Sequence, residues 1–256
     1  MARSPFISWR QLQLNAILGA AVLAGCGLVV QQSGAQPSSA QPSGEPSERA
    51  VASDSSGRVG SGAVLGPASS IERFRPSELV VKIEVTGCGF TQWGTGSIVG
   101  GQILTNRHVL DGATGITVVH PNGERYVVQQ FEVADSLDLA ALPLNTAHDG
   151  FAWGTSDDGP LVMVGVDPSA DPRTTAVVVD ERLVGQLHSD PGEVLMLDTK
   201  VEPGNSGSGV STPEGQFVGL IYASAEAGGW GLAIGVESIR AELDRLIPTT
   251  LNPGCG

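Results

Sequence analysis

The chain has 256 residues, 14 Lys and Arg against 27 Asp and Glu, and a formal net charge of −13. So acidic a surface argues against nucleic acid as a partner, because it repels the phosphate backbone. Three cysteines and four histidines show no zinc-ligand spacing, and neither a metal nor an organic cofactor is implied.

Arg3 and Arg10 precede an apolar run from Leu12 to Gly25 that is laid out like an export signal and is short for a membrane span. Leu23-Ala24-Gly25-Cys26 resembles the bacterial lipobox, which implies cleavage before Cys26 and a lipid on its thiol; the plainer alternative is ordinary secretion with Cys26 incidental. Loss of residues 1–25 removes two basic residues and leaves 12 against 27 acidic ones, a formal −15. Cys88 and Cys255 then remain as an even pair in an oxidising compartment, which favours a disulfide. Residues 26–70 are rich in Gln, Ser, Pro, Gly and Ala and too poor in large apolar groups to offset the entropy of ordering them. They read as a tether that would hold a lipid-anchored domain, residues 71–256, clear of a membrane.

Beyond the tether, β-rich runs punctuated by Gly, Pro and Asp predict strands at 79–85, 96–99, 102–105, 116–120, 126–131, 139–144, 161–166, 174–179, 182–187, 194–198, 217–223 and 231–234. A dozen strands at that spacing imply an all-β barrel or sandwich. Val236, Ile239, Leu243 and Leu246 share one face at helical spacing, which predicts a helix over 236–246 closed by Pro248.

The chemistry centres on Pro203-Gly204-Asn205-Ser206-Gly207-Ser208-Gly209. Small residues around one serine suit a tight turn that exposes a hydroxyl and gathers amide N–H groups, although a Gly-Ser run taken alone is more often just a loop. A serine needs a base, and the base needs an orienting acid. His120, His148 and His188 lie in turn-like contexts and read as solvated. His108 instead follows a β-rich run directly, in Thr105-Asn106-Arg107-His108-Val109. Asp138 heads the apolar run Asp138-Leu139-Ala140-Ala141-Leu142, where a carboxylate calls for a polar partner such as an imidazole.

These three segments resemble the trypsin-like serine peptidases of the chymotrypsin fold, most of all the protease domain of the bacterial HtrA (Deg) branch. The resemblance runs over residues 79–246 and includes Gly94-Thr95-Gly96-Ser97 and Gly231-Leu232-Ala233-Ile234. It implies two perpendicular six-stranded β-barrels with a C-terminal helix, His108 as general base, Asp138 as its orienting acid, Ser206 as nucleophile, and the N–H groups of Gly204 and Ser206 as an oxyanion hole. It also implies that Lys200 and Val201 face Ala223 and Ser224 across the substrate pocket. That pocket would take small or medium apolar side chains, or acidic ones if Lys200 turned inward. In that fold the terminal helix packs back on the domain, which brings Cys255 within reach of Cys88. Ser208 replaces a usual glycine and is expected to narrow the cleft, and Asn205 offers no aspartate for a zymogen switch. With 50 residues after Ser206, no PDZ domain is expected. The resulting expectation is a serine endopeptidase outside the cytoplasmic membrane, lipid-anchored or secreted, acting on proteins or peptides; the alternative is a catalytically silent adaptor on the same fold.

Overall fold

The computed structural model describes residues 75–155, 159–187, 190–225 and 229–255. The export signal, Cys26, the tether and His188 lie outside the described residues.

Two curled, mostly antiparallel sheets carry the fold. The first contains β1 (Val80–Gly87), β2 (Phe90–Val99), β3 (Gln102–Thr105), β4 (Ala113–Val119), β5 (Arg125–Val128), β6 (Gln130–Val133) and β7 (Ala140–Pro143). Their hydrogen-bonded order is β6-β7-β3-β2-β1-β4-β5, with β16 (Ile247–Thr250) outside β6. β5 and β6 stand at opposite ends of this order, yet Gln129 alone separates them in the chain. The sheet therefore closes on itself, and counting the bent β5–β6 run once gives six staves.

The second sheet repeats the device. It contains β9 (Leu161–Val166), β10 (Pro172–Val177), β11 (Val179–Gln186), β12 (Pro191–Leu197), β13 (Gly209–Ser211), β14 (Gln216–Ala225) and β15 (Trp230–Gly235). The order is β10-β9-β13-β14-β15-β12-β11, with the two-residue β8 (Ala152–Trp153) parallel to β14. β10 and β11 are joined through Val178, so this sheet also closes, again with six staves.

Side chains alternate between the faces of a strand, and here each face has its own core. Val81, Ile83 and Val85 of β1, Ile103 of β3 and Ala140 and Leu142 of β7 fill the first sheet. Leu161 and Met163 of β9, Leu195 and Leu197 of β12 and Ala233 of β15 fill the second. Their neighbours Val80, Leu104, Ala141, Val164, Val194, Met196, Leu232 and Ile234 form a third cluster, which takes in residues of both sheets and Val236 and Ile239 of the C-terminal helix. The seam between the sheets is thus built from the same alternation as their interiors.

Several elements differ from the expectation. β2 starts at Phe90, six residues before the predicted strand, because its first half carries Gln92, Gly94 and Thr95 in place of alternating apolar residues. β13 and β16 were not anticipated, and neither was the short helix α1 (Arg107–Leu110). The C-terminal helix α2 (Val236–Leu243) ends before Leu246, and Pro248 lies inside β16 opposite Glu132. A proline is tolerated there because β16 is the outermost strand and needs no ladder bond on its free side. His120 is 7 % exposed and not solvated; its Nε2 meets Asn145 Oδ1 at 3.2 Å and its ring lies 5.9 Å from that of Tyr126.

Cys88, in the turn between β1 and β2, is bonded to Cys255 in the tail beyond β16, with Cα atoms 5.6 Å apart. The link spans 167 residues and so closes nearly all of the described chain into one loop. Cys255→Ser should lower the unfolding free energy by about 2–5 kcal/mol, read as a lower urea midpoint without reductant; an unchanged midpoint would show that the link contributes nothing.

Candidate active site

Asn106 leaves β3 in an extended conformation (φ −83°, ψ 146°), and α1 begins at the next residue. Val109 and Leu110 anchor this helical turn in the first sheet's core, and Gln92 Nε2 donates to the Val109 carbonyl at 2.8 Å. His108, on the same turn, is left at the seam.

Asp138 lies in the loop before β7 and accepts two bonds from His108. The His108 main-chain N–H donates to Oδ1 at 2.9 Å, and ring Nδ1 meets Oδ2 at 2.6 Å. Asn106 Nδ2 donates to the Asp138 carbonyl at 3.0 Å and steadies the loop. A ring nitrogen so close to a carboxylate carries the proton, which leaves Nε2 as an acceptor. Nε2 lies 3.0 Å from Ser206 Oγ. Beside this pair, the Tyr222 phenol is pushed above its ordinary value of 10, first by burial and then by the charge of Asp138. It is a wall that stays uncharged at neutral pH.

Ser206 comes from the second sheet, in the loop between β12 and β13. Asn205 N–H donates to the Glu202 carbonyl at 3.0 Å across Pro203-Gly204, and Gly204 has φ +94°. Proline second and a positive-φ glycine third make a type II turn. Gly207 follows with φ +87° and donates to the Ile221 carbonyl at 2.8 Å. Among the described residues, the N–H groups of Gly204 and Ser206 donate to no main-chain carbonyl.

The loop is fastened to β2 through its carbonyls. Thr95 Oγ1 donates to Gly204 O at 2.9 Å, Thr95 N–H to Ser206 O at 2.8 Å, and Ser97 Oγ to Gly207 O at 2.8 Å. The family resemblance covers Gly94-Thr95-Gly96-Ser97 but assigns these hydroxyls no role; hydroxyls alternating with glycine along a strand are the available signal. Ser208 does not line the cleft. It is fully buried in the seam, and a Cβ at Gly165 would lie 2.3 Å from its Oγ.

Lys200 points outward, 79 % exposed, with its ammonium 2.8 Å from Glu202 Oε1. Val201 lies against Gly231 of β15, where a Cβ would come within 2.7 Å of its Cγ2. Ala223 is buried and Ser224 half-buried on β14. Val201 therefore bridges from the segment before the serine turn to the β14–β15 pair.

The trypsin-like peptidase domain family matches residues 94–220, a span that contains His108, Asp138 and Ser206. A Chlamydia muridarum protein named "Probable periplasmic serine endoprotease DegP-like" is 28% identical over 166 residues, 60% of this chain and 33% of its own. A Brucella suis protein of the same name is 27% identical over 167 residues, with the same two coverages. The chain thus spans about a third of the length of these curated relatives, 33% in both cases. Among solved structures, the active form of the Rv3671c protease from M. tuberculosis superposes with a TM-score of 0.61 at 21% identity, covering 75% of this chain and 98% of that one. A serine endoprotease from Yersinia pestis gives 0.55 at 24%, covering 66% and 62%. These superpositions establish the fold, all-β and trypsin-like.

Gly207→Ala tests the packing of the serine turn. Alanine resists φ +87°, and its Cβ would lie 1.9 Å from the Thr95 carbonyl, main chain that cannot swing aside. A loss of about 2 kcal/mol or more is expected, seen as a lower melting temperature. A melt like that of the parent would mean that the turn tolerates a side chain.

Proposed function

We propose that this protein is a serine endopeptidase that cleaves protein or peptide substrates outside the cytoplasmic membrane through an acyl-enzyme. The observation that carries the reading is the continuous line from Asp138 through His108 to Ser206, 2.6 Å and then 3.0 Å. In this reading Ser206 Oγ attacks the scissile carbonyl carbon as its proton passes to His108 Nε2. Asp138 holds the ring and stabilises the imidazolium. The N–H groups of Gly204 and Ser206, which among the described residues donate to no main-chain carbonyl, bind the oxyanion. The tetrahedral intermediate collapses as Nε2 gives its proton to the leaving amine, and water then repeats the sequence to release the acyl group. The trypsin-like family match and the relatives named as periplasmic serine endoproteases support this reading. For anchoring, the support is Leu23-Ala24-Gly25-Cys26 with the tether behind it.

Ser206→Ala should abolish labelling by a fluorophosphonate probe and lower turnover about a million-fold while the fold persists. A wild-type protein that folds but takes up no probe would instead point to the silent adaptor. The pocket also makes a prediction. With Lys200 turned out and Val201 filling the space before Gly231, small apolar P1 residues fit best. Val201→Gly should shift preference toward larger apolar P1 residues by roughly tenfold, measured on a peptide library. A profile led by Arg or Lys would contradict this pocket.

A further inference from the structure

We propose that Thr95 is the positioning residue of the oxyanion turn, acting through the Gly204 carbonyl, with Trp93 as the plate against which that turn is pressed. The inference rests on the peptidase reading and extends it to two residues of β2 that take no part in proton transfer.

Thr95 and Trp93 are two apart on β2 and so share a face. Gly204 rests against both. Its carbonyl accepts the Thr95 hydroxyl at 2.9 Å, and a Cβ on its Cα would lie 2.1 Å from the Trp93 ring. Two points of the Gly204 unit, Cα and O, are thereby fixed from the first sheet. The Gly204 amide lies on the other side of that Cα, with φ +94°, and is carried by the same anchored unit. A turn held at two points has fewer ways to rotate than a turn held at one.

The clamp is itself held. The Thr95 side chain is fully buried, and its hydroxyl proton goes to Gly204 while its oxygen accepts the Val166 N–H at 3.4 Å. The Thr95 carbonyl accepts from Thr105 Oγ1 at 2.8 Å. Trp93 is backed by the Lys82 ammonium, 5.5 Å from the ring centroid. Lys82 in turn donates to the Pro168 carbonyl at 2.7 Å and to Glu84 at 2.9 Å, so the plate is pinned to the β9–β10 loop of the second sheet.

Such a clamp matters because an oxyanion hole works by being aimed before charge develops. Losing one donor outright costs about 100- to 1,000-fold in turnover, so a donor that is present but poorly aimed should cost less. The Thr95 hydroxyl acts on the aim of the N–H donor that meets the developing charge and leaves the Ser206–His108 proton path alone. Its removal should therefore lower the plateau of a pH–rate profile without moving the midpoint.

The test uses the exported full chain and a fluorophosphonate probe, whose phosphoryl oxygen occupies the same hole as the oxyanion. Thr95→Val keeps the shape and removes the hydroxyl; it should label Ser206 about 10- to 100-fold more slowly, with an unchanged pH midpoint. Thr95→Ser restores the hydroxyl and should label within about threefold of wild type, the margin allowed for a lost methyl contact. Trp93→Ala should slow labelling in the same direction as Thr95→Val. Wild-type labelling by Thr95→Val would overturn the proposal, as would a folded Thr95→Ser as slow as the valine variant or a midpoint that moves with the plateau. Should Thr95→Val fail to fold, Thr95→Ser and Trp93→Ala still decide: the first must remain fast and the second must be slow. A folded wild type that does not label at all overturns the peptidase reading and this proposal with it, whereas a labelled wild type with an indifferent Thr95→Val overturns this proposal alone.

Discussion

The Thr95 N–H reaches the Ser206 carbonyl at 2.8 Å, a main-chain bond between two different closed sheets. Backbones that close leave no room for side chains between them, and this limit governs the residues around the site. A Cβ at Gly207 would strike the Thr95 carbonyl and one at Gly204 the Trp93 ring, so the positions on either side of Asn205-Ser206 can be filled only by a residue without one. The same closeness lets the hydroxyls of Thr95 and Ser97 reach carbonyls that would otherwise be buried without partners. Those carbonyls are satisfied on the β2 side, while among the described residues the Gly204 and Ser206 amides have no main-chain acceptor.

The histidine side of the seam obeys a different constraint. Asp138 is largely shielded and is served by two N–H groups of one residue, the main chain and ring of His108. Because both bonds come from the same rigid helical turn, the ring is oriented by the chain that carries it as well as by the carboxylate. Val109 and Leu110 hold that turn by burial, and the Gln92 amide adds its bond to the Val109 carbonyl. In the proposed mechanism proton transfer and oxyanion binding would draw on separate parts of the first sheet, α1 with the β7 loop for one and β2 for the other, and would meet at Ser206.

Closure of each sheet is what holds these parts in register. In both, the chain bends at a single residue, Gln129 or Val178, so that one continuous run pairs with two different neighbours. The tail after α2 returns to the first sheet as β16, buries Leu251 beside the core that holds α1, and is fastened at Cys88. The end of the chain therefore braces the element that bears His108.

The sequence alone carried the three candidate groups, their order along the chain and the punctuated β-rich runs from which an all-β fold follows, because each of these is written in a few consecutive residues. His108, Asp138 and Ser206 were legible in this way, each within a short segment of distinctive neighbours. The reading failed where local pattern and final position part company: at the first half of β2, whose polar and glycine residues carry no strand signal, at His120, which looked like a turn residue and is buried, and at Ser208, which packs in the seam and not in the cleft. Only the tertiary structure decided that Thr95 faces Gly204 across 109 residues of chain and that Lys200 turns outward to Glu202. The reason is physical: alternation fixes which face of a strand a residue occupies, but what that face meets depends on how two closed sheets come together, and no stretch of neighbouring residues contains that.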